Sequence, residues 1–320
     1  GVEAAGMKML FGVFIPYLAG IIFVVGFVYR VMGWAASPVP FRIPTTCGQQ
    51  KSLPWIKHAQ FDNPFSMGGV IVRMFLEIVF FRSLFRNIKS EIKDGKKLIY
   101  SWEIWLWAAA LAFHWAFAVT VVRHLRFFAE PVPFFVKAVE FLDGFMRVEF
   151  FTPVFQIGLP GVFMSGLVLL AAATYLLARR MYIPQVKYIS LAADYFPLFL
   201  IIAVALSGII MRYFTKVDIV AVKEFTMGLA TFRPVIPQNV GAIFYIHVFL
   251  VSCLLVYFPF SKLMHLGGIF MSPTRNLTAD TRARRHVNPW NYPVHVHTYE
   301  EYEEEFREKM IEAGLPVEKE

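Results

Sequence analysis

Charge is scarce in this chain, and acid is scarcer than base. Only 17% of residues are Asp, Glu, Lys or Arg, against about a quarter in an average soluble domain. With so apolar a composition, that shortfall excludes a disordered chain and argues against a typical soluble enzyme. Cysteine is almost missing. Cys47 and Cys253 are too few for a disulfide framework, a four-cysteine zinc site or an iron–sulfur cluster of the chain's own. No Cys-x-x-Cys-His occurs, which excludes covalent haem attachment. Internal repeats and low-complexity tracts are absent as well.

Apolar residues are abundant. They make up 57% of the 320, with 34 phenylalanines and a mean hydropathy of +0.54. Five uncharged runs stand out: 9–29, 104–122, 154–178, 195–211 and 240–261. A helix needs roughly 20 such residues to cross a hydrocarbon core about 30 Å thick. None of the runs alternates in polarity as barrel strands would. The expectation is an all-α membrane protein, a five-transmembrane-helix bundle. The first run is too long for a signal-peptide core and no small-x-small cleavage site follows Arg30, so it reads as an anchor.

A sixth apolar segment, 65–87, carries Arg73, Glu77, Arg82 and Arg86. Charges at bilayer depth are costly, so the segment reads as an interfacial cytoplasmic helix, with a sixth span as the alternative. Arg73 and Glu77, four apart, are placed to pair on one face. The chain thus divides into a first transmembrane helix (1–30), a cytoplasmic loop with the interfacial helix (31–101), a four-helix core (102–271) and a cytoplasmic tail (272–320). The connections 31–101 and 179–190 and the tail carry 20 Lys and Arg, while the other two connections carry eight. The positive-inside rule then puts the amino terminus outside and the carboxyl terminus in the cytoplasm. The net charge of +8 is therefore a membrane-topology signal, not a nucleic-acid one. The tail opens basic at Arg282, Arg284 and Arg285. It continues through Pro289, Trp290, Tyr292 and Pro293, and ends in an acidic helical run from Tyr299 to Ala313. Such a tail reads as a strap onto a cytoplasmic partner subunit.

Four of the eight histidines fall on two runs: His114 and His124 on the second, His247 and His265 on the fifth. A neutral imidazole is expensive to bury without a partner, and a metal is the strongest one available. The first pair is about 15 Å apart along a straight helix and the second about 27 Å. Because the two runs are antiparallel, His114 meets His265 on the cytoplasmic side and His124 meets His247 on the outer side. Tilt and a kink at Pro259 are required to absorb the mismatch. Two cross-helix imidazole pairs suit two b-type haems, whose iron would keep no open position and so favour electron transfer. Arg123, Arg126, Arg179 and Arg180 are candidates for the haem propionates. Zinc fits badly, since it wants three or four ligands in one cluster. A transporter, or a haem-free membrane anchor subunit, is the rival. No Asp or Glu lies inside the five runs, which speaks against ion-coupled transport.

The stretch from Phe244 through His247 to Tyr257-Phe258-Pro259-Phe260 and His265 resembles the last span of the gamma subunit of respiratory nitrate reductase, a dihaem cytochrome b. That family also spaces its histidines ten and eighteen apart. Leu177 to Pro184 looks like its loop between spans three and four, and the resemblance covers roughly residues 100–271. Residues 37–50 (SPVPFRIPTTCGQQ), 81–87 (FRSLFRN) and the tail from Asn288 to Glu320 resemble the DsrM/HmeC-type cytochromes attached to heterodisulfide-reductase-like iron–sulfur proteins. The resemblance implies electron exchange between menaquinol or menaquinone and a cytoplasmic iron–sulfur subunit (DsrK-like) in sulfite or sulfate respiration. It also implies further membrane and extracytoplasmic subunits. The nitrate reductase relative places a lysine near its quinol, but no lysine occurs within 150–178 here. His124, Arg123, Glu149 and Gln156 are the candidates to face a quinone instead. Cys47 reads as a structural thiol, Cys253 as span packing, and His58, His286, His295 and His297 as surface groups.

Overall fold

A computed structural model describes residues 2–37, 42–45, 48–144, 149–151, 156–158, 162–237, 239–284 and 295–318. Cys47, Arg285, His286 and the Pro- and aromatic-bearing piece 288–293 lie outside the described residues. In chain order the main elements are α1 (Ala5–Ala36), α2 (Met67–Phe80), β1 (Ile88–Lys93), β2 (Lys97–Trp102), α3 (Ile104–Phe127) and α4 (Phe134–Asp143). There follow β3 (Glu149–Phe151), β4 (Gln156–Gly158), α5 (Met164–Tyr182), α6 (Ala192–Phe214), α7 (Ile219–Ala230), α8 (Ala242–Phe260) and α9 (Tyr299–Glu312).

Five of these helices, α1, α3, α5, α6 and α8, are long and apolar enough to cross a bilayer. Helices satisfy their own backbone polar groups, as hydrocarbon demands. Large apolar side chains point outward along them, Phe14, Leu18, Ile21 and Val25 on α1 among them, as suits contact with lipid. The bundle packs in the order α3–α5–α6–α8–α1. Its centre is a cluster of Ala116, Leu169, Leu200, Ile201, Ala205 and Leu254 drawn from α3, α5, α6 and α8. The two histidine-bearing helices, α3 and α8, are joined through α5 and α6 and share no extensive backbone contact of their own.

Several elements differ from the sequence expectation. The third span begins at Met164, ten residues after the start of its apolar run, because residues ahead of it form the short β3–β4 hairpin. The segment 65–87 yields a helix of only 14 residues, ended by Phe81 in the left-handed conformation at φ 51°. A helix that short cannot span, so α2 does not add a sixth crossing. Arg73 and Glu77 are both buried on it but do not pair with each other. Arg73 donates to the carbonyls of Asp62 (3.0 Å), Arg275 (2.6 and 3.1 Å) and Leu277 (2.8 Å). Glu77 accepts from Ser83 and pairs with Arg275 at 3.0 Å. Five orphan-prone groups are thereby satisfied from one helix face, which clamps α2 to the chain that follows α8. Arg42–Asp280 (2.7 Å) and Gln50–Thr281 (2.8 Å) extend the same seam.

The hairpin β1–β2 was also not expected. Asp94 and Gly95, at φ 54° and 66°, make its turn, the Asp-Gly signature of a primed hairpin turn. The acidic tail helix forms where its sequence places it. Its capping box pairs Glu301 N with Thr298 Oγ1 (3.3 Å) and Thr298 N with Glu301 Oε2 (2.9 Å).

The largest correction concerns the fifth span. It does not run as a kinked helix to His265. The α-helix stops at Tyr257, a tight turn carries Phe258–Phe260, and Ser261 is extended at φ −121° and ψ 176°. Proline removes one backbone donor and clashes with the preceding turn, so Pro259 breaks the ladder. The chain re-enters helical geometry at Lys262. Gly26 of α1 seats against this break: a Cβ there would lie 2.6 Å from Pro259 Cβ. Gly26→Ala should therefore lower thermal stability in detergent by about 1–3 kcal/mol, the cost of overpacking. An unchanged melting temperature would show that the break tolerates displacement.

Asp62 binds the two arginines beyond α2, at 2.5 Å (Arg82) and 2.6 Å (Arg86). Partial burial works to raise its carboxyl, but the hydrogen bonds and charges of Arg82 and Arg86 outweigh that and hold it below the usual aspartate value. A depressed folded pKa contributes stability above the unfolded value of about 3.9, lost as pH falls through the folded one. The stability gap between wild type and Asp62→Asn should thus be full at neutral pH and close below about pH 4. Paired urea titrations at pH 7 and pH 3 measure it, and a gap independent of pH would refute the clamp.

Candidate electron-transfer site

The bundle has two ends. One collects Arg30, Trp34, the Arg179–Glu103 pair (2.7 Å), the Lys262–Asp194 pair (2.6 Å) and the α2 platform. We call it the tail end. The other collects Met7, Arg123, Phe163, Arg212 and Ala242, and is the loop end.

His114 lies on α3 and donates Nδ1–H to Ala110 O at 2.7 Å. His265 follows the Pro259 break and donates Nδ1–H to Lys262 O at 2.8 Å. A carbonyl oxygen only accepts, so both imidazoles carry their proton on Nδ1 and leave the Nε2 lone pair available. The two rings come together at the tail end, with centroids 5.9 Å apart and planes at 79°. Phe81 packs edge-on against His114 at 4.8 Å. The left-handed backbone of Phe81 ends α2 and delivers that ring. A cleft of about 760 Å³ opens beside His265, lined by Arg30, Trp34, Phe81, Lys262 and Arg275 among others.

At the loop end His124 donates Nδ1–H to Thr120 O at 2.6 Å. His247 Nδ1 lies 2.9 Å from Ser207 Oγ, which is itself 3.0 Å from Val204 O, and the Val204 carbonyl also accepts from the imidazole. The two imidazoles are within electrostatic reach of each other. Gly208 lets His247 lie against α6, since a Cβ there would come within 3.3 Å of its Cε1. Ser207 and Gly208 were not singled out in the sequence, and a lone Ser-Gly inside an apolar run carries no signal of its own.

All four histidines thus share one state, Nδ1 tied and Nε2 unbonded among the described residues. This is the arrangement that orients an imidazole as a metal ligand. A metal–imidazole bond is about 2.0–2.1 Å, so two rings on opposite sides of one metal have centroids roughly 6 Å apart. The 5.9 Å of His114 and His265 meets that requirement. The described residues contain no cluster of three or more His, Cys, Asp or Glu side chains. At the tail end the donor set is a pair of imidazoles from segments that do not close on each other, and the residues present there fit a bis-histidine haem.

The candidate propionate arginines have other engagements. Arg123 donates to Asp143 at 2.6 Å and to Ser165 at 2.9 Å. Arg126 pairs with Glu140, Arg179 with Glu103, and Arg180 donates to Ser190 Oγ at 3.0 Å. Of the quinone candidates, His124 and Arg123 stand side by side at the loop end, while the side chains of Glu149 and Gln156 lie outside the described residues. Cys253 packs against the central cluster.

Five apolar helices in this order, with histidines at both ends of the bundle, define a multi-pass membrane protein. The nitrate reductase gamma subunit family matches residues 98–286, and the chain belongs to that family. It is 45% identical over 295 residues to an Hdr-like menaquinol oxidoreductase cytochrome b-like subunit of Archaeoglobus fulgidus, covering 88% of this chain and 84% of the relative. A protein of the same description from Archaeoglobus profundus is 40% identical over 283 residues, covering 87% and 81%.

Ser207→Ala removes one partner of His247 Nδ1 without touching a ligand atom. Losing such an outer partner weakens binding by about 10–100-fold. A haem titration of the purified protein should show any binding that depends on His247 weakened to that extent, and Ser207→Thr should recover much of it. Unaltered binding in Ser207→Ala would remove this hydroxyl from the site.

Proposed function

We propose that this chain is the membrane dihaem cytochrome b subunit of a respiratory complex, exchanging electrons between menaquinol or menaquinone and a cytoplasmic iron–sulfur subunit. The observation that carries the reading is the matched state of the four imidazoles, above all the approach of His114 and His265. In this reading His114 and His265 hold one haem b at the cytoplasmic, tail end, and His124 and His247 hold a second at the outer, loop end. Bound there, each haem would be held by two imidazoles of the protein and would supply a reversible one-electron centre suited to electron transfer.

The protein's own groups do the rest. The Nδ1 hydrogen bonds keep the imidazoles neutral and correctly turned. The apolar cluster between the two ends excludes water from the path. Menaquinol binds at the loop end beside Arg123 and His124, where its protons leave on the outer side. Glu149 and Gln156 complete that pocket. The partner is a heterodisulfide-reductase-like (DsrK-like) iron–sulfur protein of sulfite or sulfate respiration, and it docks on the tail end. The platform of residues 42–103 and 262–284 carries 14 of the 31 Lys and Arg, which supports reading it as the cytoplasmic face. The tail 272–320 straps it in place, with other membrane and extracytoplasmic subunits in the same complex. The relatives' description as cytochrome b-like subunits of a menaquinol oxidoreductase supports this assignment.

A reduced-minus-oxidised visible spectrum of the purified chain tests it. The expected result is a low-spin b-type spectrum with two haems per chain. His265→Ala should lose one haem, at the tail end, while menaquinol still reduces the other. A folded but colourless protein would reject the proposal in favour of a haem-free anchor or transporter.

A further inference from the structure

Two guanidinium groups converge on one aromatic ring at the loop end. The Cζ of Arg123, on α3, lies 3.4 Å from the centroid of Phe163, and that of Arg212, at the end of α6, lies 4.3 Å from it. One carboxylate answers them. Asp143 takes Arg123 on Oδ2 at 2.6 Å and the backbone N–H of Ser165 on Oδ1 at 2.7 Å. Ser165 Oγ also donates to Asp143, at 2.6 Å, so the acid is fully used. Arg123 is nearly buried, yet its Nε has no hydrogen-bond partner. Arg212 has neither a hydrogen bond nor a carboxylate among the described residues. It stands against Phe163 and Tyr213 only. Among the described side chains the site therefore sets Arg123 and Arg212 against Asp143 at the edge of an apolar bundle, the nearby Glu140 being paired with Arg126. Like charges held this close repel strongly where water is partly excluded, and an unpaired donor there is costly.

Both cations border His124. Arg123 is its neighbour in sequence, and Arg212 is within electrostatic reach of it. We infer that Arg212, together with the free Nε of Arg123, forms an anion seat for a carboxylate of the group held by His124 and His247. This inference rests on the dihaem reading above. At the loop end it sets beside the candidate Arg123 a residue that composition did not single out, Arg126 there being paired with Glu140. Arg212 is then a positioning residue. It fixes the rotation of the loop-end haem, and as an added positive charge it favours the reduced form of that haem.

The test is a redox titration of the holoprotein carrying Arg212→Gln, in wild-type and His265→Ala backgrounds, so that the loop-end haem is also read alone. The midpoint potential of that haem should fall while the tail-end haem stays put. Arg212→Lys, which keeps the charge, should fall less. Lys137→Gln, an exposed cation on the same side, should leave both unmoved. Two bound haems with wild-type potentials in Arg212→Gln would overturn the inference. Co-purified anionic phospholipid lost from that variant would then identify a lipid phosphate as the occupant. If Arg212→Gln does not fold, haem dimethyl ester titrated into the unaltered apoprotein serves instead. Binding of the ester at the loop-end site as tight as that of haem itself would refute the seat. A wild-type preparation without haem would refute the dihaem reading rather than this step within it.

Discussion

The rise of the α-helix sets the problem that this fold solves. Ten residues and eighteen residues of straight helix differ by about 12 Å, so histidines at those spacings on antiparallel helices cannot meet at both ends. The break at Pro259 and Ser261 removes the conflict by ending the fifth span early and bringing the chain back toward α3. His265 is delivered by a short return, not by helix continuation, and its ring reaches His114. Span α1, through the missing side chain of Gly26, is pressed against the break. The first helix, which carries no histidine, thus shares in setting the position of one.

The second constraint is chemical. An imidazole ligates through one nitrogen and needs its other nitrogen held. Inside a helix the carbonyl one turn back is already accepting from a backbone donor, but its second lone pair remains open. His114 and His124 both use that lone pair, and His265 uses the equivalent group in its shorter turn. His247 turns instead to the neighbouring span and borrows the Ser207 hydroxyl and the Val204 carbonyl. The same outcome from two kinds of partner is stronger support for a common ligand role than four histidines in a row would be.

Beyond the bundle, the buried Arg73 organises the tail end. It binds carbonyls from two chain segments separated by some two hundred residues, and so locks the segment ahead of α3 to the segment after α8. Had that arginine paired with Glu77 along its own helix, the seam would lose its buried guanidinium and rest on contacts such as Arg42–Asp280 and Gln50–Thr281. Phe81, at the end of the same helix, carries the platform's position directly to the ring of His114. A partner resting on this surface would therefore be mechanically close to the tail-end histidines.

Much of this was legible in the residues alone. Uncharged runs of spanning length, the four histidines, their antiparallel pairing and the acidic terminal helix follow from transfer energies and helix periodicity, which act locally. The family resemblance was legible for the same reason, since it rests on contiguous motifs. Other features depend on groups far apart in the chain. Which acceptors Arg73 and Arg123 satisfy, that Ser207 and Val204 of the neighbouring span serve His247, and that Arg212 meets no acid among the described residues cannot be read from spacing. Hydrogen bonds and charge pairs are decided by which atoms lie within about 3–4 Å. The sequence by itself determined that imidazoles would lie at two depths of a helical membrane bundle. Only the packing of the helices decided how each ring is held, where the fifth span breaks, and which cations remain free to meet an anion.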